Sequence, residues 1–334
     1  MIVEAAKRNL EKQHYVVVGN HSAVKICPFA KRDLKGGSGC YKSKFYGIRS
    51  HLCCQMTPSI TCSNACVFCW RDLTNLHSIA FKYEHPDDPR AVINGAIQGQ
   101  KKLLSGFGGN GNTNKEKFTN AQEPMHFAIS LTGEPTQYPP IRGLIEGLHA
   151  RGKSTFLVSN GQYPEQLEKV FPTQLYISLD APNKECYKKT DRPLHPDFWE
   201  RFLRSLDILR EKRKQGLRTV CRITCVKKIN MEDPNGYAEL IKRAHPLFLE
   251  IKGYAFMGPS RYYLTLENTP SHEEVKAFAE EVGERCGYKL IDEDRGSRVV
   301  LYMQEDIPDR VMVWQDGRGE GDGYYLQQQK KEIA

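Results

Sequence analysis

Three cysteines, Cys62, Cys66 and Cys69, stand in a C-x3-C-x2-C spacing, with Phe68 between the last two and Trp70 after them. Three thiolates on one short loop can wrap a single metal centre and leave its fourth coordination position open. An iron–sulfur cluster held by four cysteines is saturated and does little beyond moving electrons. A cluster held by three has one iron free to bind and cleave a ligand, so the pattern points to chemistry. The competing metal is zinc, which usually takes four closed ligands, often as two C-x2-C pairs. His51 and His77 flank the loop and could complete such a site. The spacing of the thiols favours the open cluster.

A second set of thiols precedes the first. Cys27, Cys40 and Cys53 are evenly spaced, and Cys54 follows directly. Successive side chains of an extended strand point to opposite faces, so adjacent cysteines rarely ligate one cluster together. The even spacing selects Cys53. Lys42 stands two residues after Cys40. A lysine amine forms a Schiff base with a carbonyl when burial or a nearby cation lowers its pKa. The competing role is phosphate binding within the basic tract Tyr41–Phe45. Cys186, Cys221, Cys225 and Cys286 read as core thiols, with Cys225, at a strand end, the one of interest.

These residues need a scaffold. Apolar β-rich runs lie at 126–132, 155–160, 175–180, 220–226 and 248–254, with helical patterns between them, clearest at 197–214 and 233–244. A further helical pattern covers 88–104, and a Gly/Asn-rich loop at 105–115 leads from it to the first of those runs. Strands alternating with helices imply βαβ units and a parallel sheet. About six units follow from the cysteine loop onward, which suits an α/β partial (β/α)6 barrel. Parallel barrels carry their active sites at the C-terminal ends of the strands. Here those ends read Gly133-Glu134-Pro135, Ser159-Asn160, Ser178 and Asp180. Any one of them could be a plain turn; their recurrence points to a shared rim. A helix at 271–286 and strands within 288–303 complete the pattern, and a polar tail begins near Gly317. The expected division is a basic N-terminal extension over 1–45, the barrel over 46–260 and a C-terminal extension over 261–334.

The 334 residues carry a formal charge of +8. Residues 1–50 hold 10 Lys and Arg against 3 Asp and Glu, and residues 201–228 hold 10 against 2. Two basic regions on an otherwise acidic chain suggest a polyanion such as RNA. Lys25, Lys31, Arg32, Lys35 and Lys44 are the contact candidates nearest the chemistry. The run at 212–218 is either a second contact or a solvated helix end. Mean hydropathy is −0.56; no apolar run is long enough to span a bilayer, and the N-terminus lacks an apolar signal core. The expectation is a cytoplasmic protein with reduced thiols, monomeric by default and without membrane contact.

The Cys62-Cys66-Cys69 loop and the Gly133-Glu134-Pro135 strand end resemble those of the radical S-adenosylmethionine enzymes over roughly residues 46–256. That resemblance implies a [4Fe-4S] cluster on the three cysteines. It implies S-adenosylmethionine bound by Gly133, Glu134, Pro135, Ser159, Asn160, Ser178 and Asp180, and an external one-electron donor. The N-terminal cysteines, Tyr41-Lys42, Trp70-Arg71 and the segment Ser130–Thr136 further resemble the 4-demethylwyosine synthases over nearly the whole chain. This second likeness implies a second [4Fe-4S] cluster on Cys27, Cys40 and Cys53, with Lys42 catalytic. It implies pyruvate and N1-methylguanosine-37 of tRNA(Phe) as substrates in the wybutosine pathway, and a lyase that closes the third ring of the base by 5′-deoxyadenosyl radical chemistry. Two other readings stay open at the level of sequence: a radical enzyme with an auxiliary cluster acting on a peptide or small molecule, and a non-catalytic zinc-dependent RNA-binding protein.

Overall fold

The computed structural model describes residues 4–72, 76–81 and 85–314; the polar tail expected from Gly317 lies outside the described residues. Among the described residues ten strands form one sheet: β1 (Val16–Val18), β2 (Ser22–Lys25), β3 (Cys53–Thr57), β4 (His126–Ile129), β5 (Ser154–Ser159), β6 (Gln174–Ser178), β7 (Arg218–Cys225), β8 (Phe248–Gly253), β9 (Lys289–Asp294) and β10 (Val299–Met303). The sheet order is β1-β2-β3-β4-β5-β6-β7-β8-β10-β9. The six central strands, β3 to β8, run parallel, each beside the next in sequence. Antiparallel pairs extend the sheet at both sides. This is the expected partial barrel of six βα units, and β1 and β9 are its open edges.

Helices join the strands. Before β3 come α1 (Glu4–Lys12), α2 (Pro28–Leu34) and α3 (Tyr41–Tyr46). The crossovers hold α4 (Pro89–Leu104), α5 (Lys115–Ala121), α6 (Ile141–His149), α7 (Pro164–Leu167), α8 (Lys184–Thr190), α9 (Phe198–Lys214) and α10 (Pro234–Ala244), and α11 (His272–Cys286) precedes β9. Their ends follow from local chemistry. Pro89 opens α4 while the Asp88 carboxylate accepts from the Arg90 amide at 2.8 Å, satisfying a donor the helix itself cannot. A reciprocal Ser271–Glu274 box opens α11 and Gly287 closes it at φ 76°, a left-handed conformation that suits glycine. The Gly/Asn loop is shorter than expected: a turn covers Ser105–Phe107 and α5 intervenes before β4. Among the described residues no helix is long and apolar enough to cross a membrane.

Strand alternation divides the core. Leu157, Leu175, Ile177, Cys221, Ile223, Leu249 and Ile251 share one buried cluster with residues of α4, α6, α9, α10 and α11. Their neighbours Phe156, Tyr176, Val220 and Phe248 belong to a second cluster with Tyr41, Phe45 and Tyr46 of α3. The short helix α3 therefore plugs the inside of the barrel. Its anchor is polar. Glu250 is fully buried and takes hydrogen bonds from Tyr41 Oη (3.0 Å), Tyr46 Oη (2.7 Å) and Arg222 Nε (2.8 Å). Burial pushes its carboxyl up, but the Arg222 guanidinium and the Lys42 ammonium outweigh that and hold it below its ordinary value.

Removing this carboxylate leaves a buried guanidinium and two buried hydroxyls without their acceptor. Glu250→Ala should lower stability by about 3–5 kcal/mol in urea unfolding. The control Glu239→Ala, which breaks an exposed pair with Lys242, should change it by less than about 1 kcal/mol.

Candidate active site

The cysteine loop follows β3 and is fastened to three other parts of the barrel. The Cys62 amide donates to Leu76 O, Ala65 N donates to Asp191 O, and Glu134 N donates to Thr61 O at 2.7 Å. Gly133 makes the last contact possible. It sits at φ 67°, and a Cβ there would lie 2.2 Å from Ser59 O, so only glycine lets the two backbones meet this closely. Glu134 is buried beside Cys62, and its carboxylate accepts from Thr136 N (3.0 Å) and Asn160 N (2.8 Å). Burial raises its pKa against those bonds.

The three thiols sit in one neighbourhood. Cys62 Sγ accepts from Asn64 N at 3.4 Å and lies 3.7 Å from Asn160 Nδ2. Cys66 Sγ lies 3.5 Å from Asp191 Oδ1. Burial pushes all three thiols up, and Cys66 and Cys62 are raised further by neighbouring cysteines. Thiols held protonated by burial ionise when a metal binds, because a coordinating thiol loses its proton outright. The donor set therefore fits the cluster inferred from the spacing. His51 turns elsewhere: its ring nitrogen is 2.8 Å from Asp33 Oδ2. Among the described residues no three His, Cys, Asp or Glu side chains close on a point as a single metal ion requires.

The other strand ends converge on the same rim. Ser159 Oγ accepts from Gly161 N at 3.1 Å, and Asn160 Nδ2 donates to Ser63 Oγ at 3.2 Å. Asp180 accepts from Thr224 N at 2.6 Å and is pushed up to about 6 by burial. It faces Asp191, which burial and Asp180 together raise well above the carboxylate range. Ser178 ends β6 beside Arg222 of β7. Cys225 is buried near Asp180 but packs in the helix-side cluster.

Cys27 precedes α2, Cys40 precedes α3 and Cys53 opens β3. The fold brings them together: burial raises Cys53 to about 12, with further upward contributions from Cys27 and Cys40. Cys54 is on the other face, fully buried against α4. Lys42, two residues into α3, lies with its amine 4.5 Å from the Tyr176 ring centre and 5.5 Å from that of Phe156. Burial and the positive Arg222 lower its pKa, opposed by Glu250, Cys40 and Cys53. The two thiol sets adjoin at Arg71. This buried guanidinium donates to Tyr15 Oη at 2.5 Å and is influenced by both Cys69 and Cys27.

The basic candidates divide. Arg32 and Lys35 are exposed, and Lys31 is partly so. Lys25 lies over the Tyr15 ring at 4.6 Å. Lys44 is paired with Asp292 at 2.7 Å. The 212–218 run is largely structural: Lys212 donates to Glu168 O, Arg213 to Pro246 O, and Arg218 to Asp309 O and Arg310 O. Sequence reasoning passed over Arg222, Glu250, Lys252 and Asp191. The first three had a signal: in otherwise apolar strands they are charges at period two, which puts them on one face.

Comparison with known proteins fits this architecture. A family model described as the Radical SAM superfamily matches residues 56–241, and one for wyosine base formation matches residues 243–304. The S-adenosyl-L-methionine-dependent tRNA 4-demethylwyosine synthase of Pyrococcus horikoshii is 46% identical over 304 residues, 89% of this chain and 87% of that protein. A solved structure of TYW1 with a lysine–pyruvate adduct bound superposes with a TM-score of 0.84 at 37% identity, covering 93% of this chain and 100% of the other. A crystal structure of archaeal TYW1 gives 0.74 at 35% identity, covering 91% and 97%. The chain thus belongs to the S-adenosyl-L-methionine-dependent tRNA 4-demethylwyosine synthases, a family of radical S-adenosylmethionine enzymes.

Proposed function

We propose that this enzyme closes the tricyclic base of 4-demethylwyosine on tRNA(Phe), joining N1-methylguanosine-37 to two carbons of pyruvate. The observation that carries the reading is the meeting, inside one barrel, of the Lys42 amine and the Cys27, Cys40 and Cys53 thiols, with Arg71 linking them to the Cys62 loop.

Cys62, Cys66 and Cys69 would hold a [4Fe-4S] cluster, which with S-adenosylmethionine supplies the 5′-deoxyadenosyl radical. Glu134, fixed by the Thr136 and Asn160 amides, offers a carboxylate beside that loop for an ammonium group. Asn160, Ser159, Ser178 and Asp180 supply further polar atoms along the rim. Cys27, Cys40 and Cys53 would hold the second cluster, again with an open iron. Lys42 adds its amine to the carbonyl carbon of pyruvate and releases water, giving an imine. A solved structure of the related TYW1 has a lysine–pyruvate adduct bound, which supports imine chemistry on a lysine in this family. The target base enters from the rim; a loop base leaves its stack more easily than a paired one. Lys25, Lys31, Arg32 and Lys35 are the cations that would meet the RNA backbone; an external donor supplies one electron.

Anaerobic reconstitution tests the two-cluster reading. Changing Cys27, Cys40 and Cys53 together to alanine should remove about half of the bound iron and sulfide and leave S-adenosylmethionine cleavage measurable; unaltered iron content would refute the second site. Borohydride with labelled pyruvate should trap a covalent adduct on the peptide containing Lys42, and Lys42→Arg should abolish it. Undiminished labelling of that variant would remove the imine role.

A further inference from the structure

The space around Lys42 holds more positive charge than the chain compensates. Arg222 lies with its guanidinium 4.5 Å from the centre of the Tyr176 ring, the ring that Lys42 also approaches to 4.5 Å. Lys252 lies over the ring of Tyr41 at 5.3 Å. Strand register explains the grouping. Arg222 pairs with Glu250 across β7 and β8, and Thr224 pairs with Lys252 two residues further on, so Arg222, Glu250 and Lys252 share the interior face. Glu250 is the carboxylate hydrogen-bonded within this group, and buried Asp180 lies within electrostatic reach of Arg222. Glu250 is already engaged by Arg222 Nε and the hydroxyls of Tyr41 and Tyr46. Three cations thus share Glu250, with only the Asp180 carboxyl, which burial pushes up to about 6, beside Arg222 as a further acidic group.

Arg222 shows where the missing anion belongs. Its Nε binds Glu250, yet its Nη2 is buried with no hydrogen-bond partner. An unmade hydrogen bond from a buried charged donor costs free energy, and a guanidinium is shaped to hold a carboxylate. Thiolates at Cys27, Cys40 and Cys53 would offset part of the excess charge without supplying an oxygen acceptor.

We propose that Arg222, assisted by Lys252, is the carboxylate-recognition pair of this site, taking the carboxylate of a 2-oxo acid while its carbonyl carbon meets Lys42. The proposal rests on the imine reading above and adds to it the basis for selecting a 2-oxo acid over a neutral ketone. The covalent step balances without an oxidant or reductant: the neutral amine forms the N–C bond, the carbonyl C–O bond breaks, and the oxygen leaves as water with both amine hydrogens. Arg222 and Lys252 are unaltered by it.

The test compares labelled pyruvate with labelled pyruvamide, its neutral amide, in borohydride trapping on the reconstituted enzyme. Wild type should trap pyruvate at much lower concentration than pyruvamide. Arg222→Met should raise the pyruvate concentration for half-maximal trapping about tenfold or more and leave that for pyruvamide within about twofold. Lys252→Met should shift pyruvate selectively by less. Arg222→Lys, which keeps a cation beside Glu250 and so guards against misfolding, should recover part of the loss. A parallel loss of both compounds, or no loss of pyruvate, would overturn the assignment. Equal trapping of both compounds by wild type would overturn it and leave the imine intact, whereas trapping of neither would remove the imine reading itself.

Discussion

One buried carboxylate organises the interior of this barrel. Glu250 projects from β8 where a parallel barrel would otherwise be filled by branched aliphatic side chains. An isolated buried carboxylate is costly. This one is offset by a guanidinium from the neighbouring strand and by two tyrosine hydroxyls from a six-residue helix. A helix that short has little stability of its own. It holds its place because its aromatic side chains pack against Phe156, Tyr176 and Phe248 and its hydroxyls reach Glu250. The N-terminal segment thereby enters the barrel instead of lying outside it.

That insertion has a chemical consequence. Tyr41 and Tyr46 are the anchors, and Cys40 and Lys42 flank the first of them, so both are carried inward with it. Cys53 arrives independently, on the interior face of β3, while its neighbour Cys54 turns into the helix layer. The second thiol set is therefore assembled from a docked helix and a barrel strand. The first is a loop pinned by backbone contacts to Glu134 and Asp191. Arg71 sits where the two meet. The same packing that fills the barrel thus sets the Cys62–Cys69 loop and an amine-bearing helix side by side.

Much of this was legible in the sequence, for definite reasons. The strands β4 to β8 are nearly continuous apolar runs, as parallel strands covered on both faces must be. The long helices α4, α9, α10 and α11 show apolar periodicity and clear starts. The evenly spaced cysteines marked a second thiol set that the fold gathers, and alternation in a strand separated Cys53 from Cys54. The N-terminal elements were not legible: β1 and β2 are three and four residues long, and α3 is fixed by contacts more than 200 residues away. The charges at Arg222, Glu250 and Lys252 sat in view within apolar strands, but their partners are set by register between strands. The basic run at 212–218 misled in part, because carbonyls consume charges that composition counts as available.

Glu250 holds α3 inside the barrel through Tyr41 and Tyr46. Amide hydrogen exchange read by mass spectrometry measures it directly, comparing wild type with Glu250→Ala. Protection of residues 41–46 should fall by roughly a hundredfold or more, while β4 and β5 keep theirs. Unchanged protection of 41–46 in the variant would contradict it.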